Sequence, residues 1–134
     1  MQNSGKSAFD LDANVAAGLA YIPVCLVPLI ISIAILVTDK TNKLPRFHAV
    51  QSLLLWAAMI VGYIVAFVLA MVIMVIAGAA NTPGLMILSF LVYVVFMIYA
   101  LAGLIMLIIS CIKAFQGQIF KIPVIGGMAD KWSN

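Results

Sequence analysis

The chain has 134 residues, of which 66% are hydrophobic and only 8% are charged, and its formal net charge is +3. Soluble domains usually carry about 25% charged residues, so a water-soluble globular domain is excluded. The length suits one domain over residues 1–134, and the few scattered Lys and Arg side chains form no basic stripe for nucleic acid.

The first apolar block runs from Ala13 to Thr38 without an acidic, basic or His residue. Because about 20 apolar residues cross about 30 Å of hydrocarbon, the block predicts a transmembrane helix over 13–38, with Asn14 as its N-cap. Pro23 and Pro28 each remove a backbone hydrogen bond, which favours a kinked helix. A half-broken helix that lines a substrate site is the alternative.

A polar connector follows at Asp39–Phe47, and Pro45 suits the first turn of the next helix. The second span is predicted at about 50–80, with the polar residues before Leu53 at the headgroups. The sequence Asn81-Thr82-Pro83-Gly84 predicts a type II turn with Pro and Gly at its centre.

The third span is predicted at 85–112, with Lys113 at its end and Gly117 as its C-terminal cap. The remaining segment, 115–132, alternates apolar residues with Gly and Pro. We expect it to be an interfacial tail anchored by Trp132, in which Gly117, Pro123, Gly126 and Gly127 interrupt a continuous helix.

The distribution of Lys and Arg predicts the orientation of the three spans. The connector and the tail share one side and hold six of these residues, whereas only Lys6 lies on the other. Basic loops stay in the cytoplasm, so we expect a prokaryotic cytoplasmic membrane with the N-terminus out and the C-terminus in. The predicted fold class is all-α and integral to the membrane, with three transmembrane helices, a cytoplasmic connector and an interfacial C-terminal tail.

Small residues predict the helix contacts, because close backbone approach drives association in lipid. One row on the second span and one seam on the third recur at helical spacing and are candidate helix-packing residues. They are Ala58, Gly62, Ala66 and Ala70, and Ser89, Tyr93, Ala100 and Gly103.

The residues in the spans predict no catalysis. Paired carboxylates and His/Cys clusters with metal-ligand spacing are lacking, so we expect neither an enzyme, a cofactor nor a metal site. The predicted depths of Cys25 and Cys111 in the membrane differ by more than about 10 Å. A disulfide needs Cα atoms within about 7 Å, so we expect two free thiols. For His48, three interpretations stay open: contact with headgroups and water, a structural hydrogen bond to the tail, or a catalytic or metal role.

Two motifs carry a family resemblance. They are R-F-H-A-x-Q, with Arg46, Phe47, His48 and Gln51, and the tail pattern G-x-x-F-x-I-P-x-I-G, with Gly117, Pro123 and Gly126. This order of spans and motifs resembles a family of small prokaryotic membrane proteins of unknown function, distantly related to the Tic-twenty component of the chloroplast import machinery. The resemblance implies three spans with both motifs on the cytoplasmic side and implies no activity.

Three functions stay open. The first is an accessory or scaffolding subunit of a larger membrane complex. The second is a homo-oligomeric channel or protein-translocation component. The third is a lipid-interacting membrane protein. The expected partners are the lipid bilayer and either other membrane-protein subunits or further copies of the chain.

Overall fold

The computed structural model of the chain describes residues 5–24 and 26–133. Over these residues the structure is helical and contains no strand, which confirms the all-α class. The helices, which follow a 3₁₀ turn at Ala8–Asp10, are α1 (Ala13–Leu19), α2 (Val27–Thr38), α3 (Lys43–Ala79), α4 (Pro83–Phe115) and α5 (Ile125–Trp132). Cys25 lies outside the described residues, and Cys111 forms no disulfide.

Within the described part of the chain, two helices are long and apolar enough to cross a membrane. They are α3, with 37 residues, and α4, with 33. The first apolar block is different, because it divides into α1 and α2, of seven and 12 residues. A continuous kinked helix over 13–38 is therefore not what the structure shows.

Proline explains the division of the first block. Pro23 lies in the break between α1 and α2, where the backbone makes turns instead of helical bonds. Pro28 lies in the first turn of α2, where a missing N–H costs nothing. Each proline therefore marks a helix boundary, whereas the sequence had suggested kinks inside one helix. The residue that precedes α1 as its N-cap is Asp12 rather than the predicted Asn14.

The turn between α3 and α4 also differs from the predicted type II turn. Pro83 is the first residue of α4, and the positive φ of 51° belongs to Asn81. The Thr82 N–H donates to Ala77 O over 3.1 Å, and the Asn81 N–H donates to Gly78 O over 3.3 Å. This pair of bonds is a Schellman motif, in which Asn takes the left-handed position.

The chain forms two compact units. The terminal unit comprises Met1–Trp56 and Ile105–Asn134, and the hairpin unit comprises Ala57–Leu104. The terminal unit contains the buried clusters, among them Tyr21 with Leu44 and Ile122, and Phe47 with Ala129. The hairpin unit consists of the adjoining parts of α3 and α4, and most of its large apolar side chains are exposed.

Candidate functional site

The polar residues of the first motif lie in a buried network inside the terminal unit. His48 and Gln51 are three positions apart on α3, so they share one face of the helix. Tyr21, which follows α1, and Ser110 on α4 approach the same place, and all four side chains are fully buried. The network is therefore sealed from solvent in this unit and must satisfy its hydrogen bonds internally.

His48 joins the network to the C-terminal segment. Its Nε2 lies 3.0 Å from Gln118 O, and its Nδ1 lies 3.1 Å from Tyr21 Oη. A carbonyl oxygen only accepts, so Nε2 carries the proton and donates. In the neutral imidazole Nδ1 then accepts from the Tyr21 hydroxyl. Of the three interpretations of His48, this geometry matches the structural hydrogen bond to the tail.

Gln51 pairs with the backbone of the tail. Its Nε2 donates to Phe120 O over 3.0 Å and to Tyr21 Oη over 2.9 Å, with Ser110 Oγ farther away at 3.5 Å. Its Oε1 accepts from the Ile122 N–H over 3.1 Å. One side-chain amide thus satisfies a carbonyl and an N–H two residues apart, as a neighbouring β-strand does.

The end of α1 is satisfied by side chains from the long helices. The Ser52 hydroxyl donates to Ala20 O, and Cys111 Sγ lies 3.6 Å from Gly18 O. These carbonyls belong to the last turn of α1, where helical partners are missing. Asn14 does not cap its own helix; its Nδ2 donates to Phe115 O at the end of α4 over 3.1 Å.

Arg46 connects the ends of two helices, and its neighbour Phe47 packs in the buried core. The Arg46 Nε donates to Ser133 O and its Nη1 donates to Asp39 O, each over 3.0 Å. Phe47 is fully buried and packs with Val50 and Ala129 of α5. Both residues therefore hold the last helix in place.

The predicted tail glycines have two different roles. Gly117 has φ of 70°, and the Gln118 N–H donates to Lys113 O, so it is the left-handed residue of a Schellman cap on α4. Gly126 lies inside α5, contrary to the expected helix interruption, and a Cβ there would lie 2.7 Å from Lys121 Cα. Pro123 accepts the Ile125 N–H over 2.8 Å in the turn before α5.

Charged groups fasten α5 from outside. Asp130 lies 2.9 Å from Lys121 Nζ and 3.4 Å from Lys43 Nζ. The hydrogen bond from Lys121, together with that from Lys43, lowers the pKa of the Asp130 carboxyl. Near the start of α3, burial opposes ionisation of Asp39, but hydrogen bonds including those from Asn42 lower its pKa overall.

In the hairpin unit, small residues allow the two helices to approach closely. A Cβ on Gly62 would lie 2.5 Å from Tyr99 Cε1, and a Cβ on Gly103 would overlap Met59 Sδ. The Tyr99 hydroxyl donates to Ala58 O over 2.7 Å. Ala70 and Ser89 are buried, Ala66 and Ala100 are half-buried, and Tyr93 is half exposed.

An apolar groove lies beside this contact. Its volume is about 250 Å³, and its lining comes from both helices of the hairpin unit. The lining residues are Gly62, Val65, Ala66, Leu69, Val92, Val95, Phe96 and Tyr99.

The site residues predicted from the sequence did not include Tyr21 and Tyr99, although polar groups in the spans were expected to bridge helices. Both are tyrosines inside apolar blocks, and a phenolic hydroxyl in such surroundings needs a hydrogen-bond partner. This requirement indicates that each tyrosine forms a hydrogen bond, but it does not identify the partner. In residues 5–24 and 26–133, no three His, Cys, Asp or Glu side chains come together as a metal site.

Comparison with known proteins corrects the resemblance drawn from the motifs. Residues 12–129 match the MamF/MmsF model, described as the magnetosome magnetite crystal formation protein family. Both motifs lie inside that range, so their assignment to a Tic-twenty-like family of unknown function was wrong.

A curated relative supports the membrane setting. The UPF0132 membrane protein of Methanocaldococcus jannaschii is 32% identical over 129 residues, which cover 96% of each chain. No solved structure matches the chain. The match over residues 12–129 shows that this membrane protein belongs to the magnetosome magnetite crystal formation protein family.

Proposed function

We propose that the chain is a non-catalytic membrane subunit that scaffolds a larger membrane-protein assembly. The observation that carries this proposal is the use made of the motif residues. Arg46, His48 and Gln51 all bond to backbone groups of the C-terminal segment. Their polar groups therefore serve to hold this segment in its folded position. Family membership supplies the membrane setting.

The surface of the hairpin unit supports the proposal that the chain binds a partner within the membrane. Its outward side chains are large and apolar, and Val95 and Ile98, for example, are 67% and 64% exposed. Helices in lipid associate by close packing. The groove at Gly62, with a volume of about 250 Å³, is a concave site where a further helix can pack. We propose that a transmembrane helix of a different chain occupies this groove.

The test fills the groove without disturbing the helix contact beneath it. Val92 lines the groove, whereas Val94 lies about 200° farther around α4 and does not line it. Val92→Phe and Val94→Phe add the same volume to the same helix. Each variant is expressed at its native level, and the mass of the particle that contains it is measured after extraction in mild detergent.

We expect the unaltered chain and Val94→Phe to migrate in a particle that contains a second protein in fixed ratio. Val92→Phe should release the 14.4 kDa chain while leaving its amount in the membrane unchanged. A lone chain in the unaltered sample would overturn the proposal. A particle built only from copies of this chain would also overturn it and would favour the homo-oligomer.

A further inference from the structure

The structure brings the two ends of the first apolar block together. The Asn42 Nδ2 donates to Lys6 O over 3.0 Å, and Asn42 also bonds to Asp39, which directly follows α2. Lys6 precedes the block and Asn42 follows it. Two groups in direct hydrogen bond lie on the same side of a membrane, so the segment between them enters and leaves by one face.

The helices of this segment are also too short to cross. At about 1.5 Å per residue, α1 extends about 10 Å and α2 about 18 Å, against about 30 Å of hydrocarbon. The far end of α1 is fixed by the bond from Ser52 to Ala20 O. Ser52 lies ten positions beyond Asn42, so the end of α1 lies about 15 Å farther along α3 than Asn42 does.

The surface of α2 has two faces of different exposure. Pro28, Ser32 and Ile35 are buried against the rest of the terminal unit. Ile30, Ile33 and Val37 recur at helical spacing on the other side and are 57%, 48% and 66% exposed. Such an apolar face is stable only when it is covered, and in a membrane protein acyl chains cover it.

We propose that α1 and α2 form a re-entrant hairpin whose outer α2 face contacts acyl chains of the leaflet that carries both termini. The chain then crosses the membrane only twice, through α3 and α4. With 37 and 33 residues, these helices are about 55 Å and about 50 Å long, so each can cross about 30 Å of hydrocarbon and still extend beside α1 and α2.

The distribution of charge supports two crossings better than three. All seven Lys and Arg residues lie in the terminal unit, and residues 57–104 contain none. Three crossings divide the basic residues six to one, whereas two crossings place all seven on one side. By the positive-inside rule that side is the cytoplasm, so both termini are cytoplasmic. The proposal replaces the expected N-out, C-in arrangement and is independent of the scaffolding role.

Single cysteines in a chain with Cys25→Ala and Cys111→Ala distinguish the two topologies. Asp12→Cys, Thr41→Cys and Thr82→Cys place exposed thiols before α1, before α3 and in the turn before α4. Each is treated with a membrane-impermeant maleimide in right-side-out and in inside-out vesicles. Lys6→Cys repeats the first position if Asp12→Cys does not fold.

We expect positions 12 and 41 to react only in inside-out vesicles and position 82 only in right-side-out vesicles. Reaction of positions 12 and 82 from one side, with 41 from the other, would establish three crossings and overturn the proposal. Depth is measured with a nitroxide on Ile30→Cys. Its relaxation should respond more to oxygen than to a water-soluble nickel chelate. The opposite response would contradict the proposed contact between α2 and acyl chains.

Discussion

Gln51 and Ile122 are 71 positions apart in the chain, and the Ile122 N–H donates to Gln51 Oε1 over 3.1 Å. The same side chain donates to Phe120 O, so it pairs with the tail as a β-strand neighbour would. Alongside the bonds from His48 and Arg46, Gln51 therefore holds two backbone groups of the tail. Removal of that residue affects two buried main-chain groups together.

We expect Gln51→Leu to destabilise the docked tail. The substitution keeps a similar volume but leaves Phe120 O and the Ile122 N–H without partners, and each unsatisfied buried group costs about 1–3 kcal/mol. Faster hydrogen exchange of the Ile122 amide in detergent micelles would show the effect. Gln116→Leu, at an exposed position just after α4, is the control and should leave that exchange unchanged. Equal protection in both variants would contradict the role given to Gln51.

Three glycine-to-alanine substitutions should rank by what the new methyl group meets. Gly62→Ala encounters the rigid Tyr99 ring, and overpacking of this kind costs about 1–3 kcal/mol. Gly103→Ala encounters the flexible end of Met59 and should cost less. Gly78→Ala meets open space in α3 and should be neutral or slightly stabilising. Unfolding of the three variants in mixed detergent and dodecyl sulfate, followed by circular dichroism, measures the order; a different order would contradict the contact.

The docking of α5 should weaken in acid. Asp130 has a lowered pKa in the folded chain, so its stabilising contribution is present above the ordinary carboxyl pKa of 3.8. The contribution is lost as the pH falls through the lowered value, when the carboxylate that faces Lys121 and Lys43 is neutralised. Amide exchange in α5, corrected for its intrinsic pH dependence, should therefore accelerate in acid.

Asp130→Asn should remove this pH dependence by making exchange in α5 fast at neutral pH as well. Asp10→Asn changes another exposed carboxylate, far from α5 in sequence, and should retain the acid response of the unaltered chain. Exchange in Asp130→Asn that still accelerates in acid would assign the effect to another group.

The sequence was sufficient to predict the two long helices and the all-α class. Length and the lack of charge determine such helices, and both can be read from residues 49–112 directly. It was not sufficient for the first apolar block, because Pro23 and Pro28 are compatible with one kinked helix or with two short ones. The structure distinguishes these arrangements, because the helical hydrogen bonds stop after Leu19 and resume at Val27.

The candidate site was predictable in its residues but less so in its contacts. Arg46, Phe47, His48 and Gln51 stood out as a motif, and a bond from His48 to the tail was one interpretation. The acceptor, Gln118 O, is a main-chain atom, and backbone acceptors carry no side-chain signature in a sequence. The bond between Tyr21 and His48 was not predictable for a different reason: the two residues are 27 positions apart, and only the folded chain brings them together.

The turn at Asn81 contains no Asp, Glu, Lys, Arg or His, and neither do the helical segments that flank it within residues 57–104. Moving a charged side chain through the bilayer centre costs at least about 2.5–3.5 kcal/mol on insertion scales. With two crossings, the polypeptide that passes to the far side during biogenesis is this neutral loop alone. The hairpin can then enter the bilayer as one piece, while every charged residue stays on the side where it was synthesised.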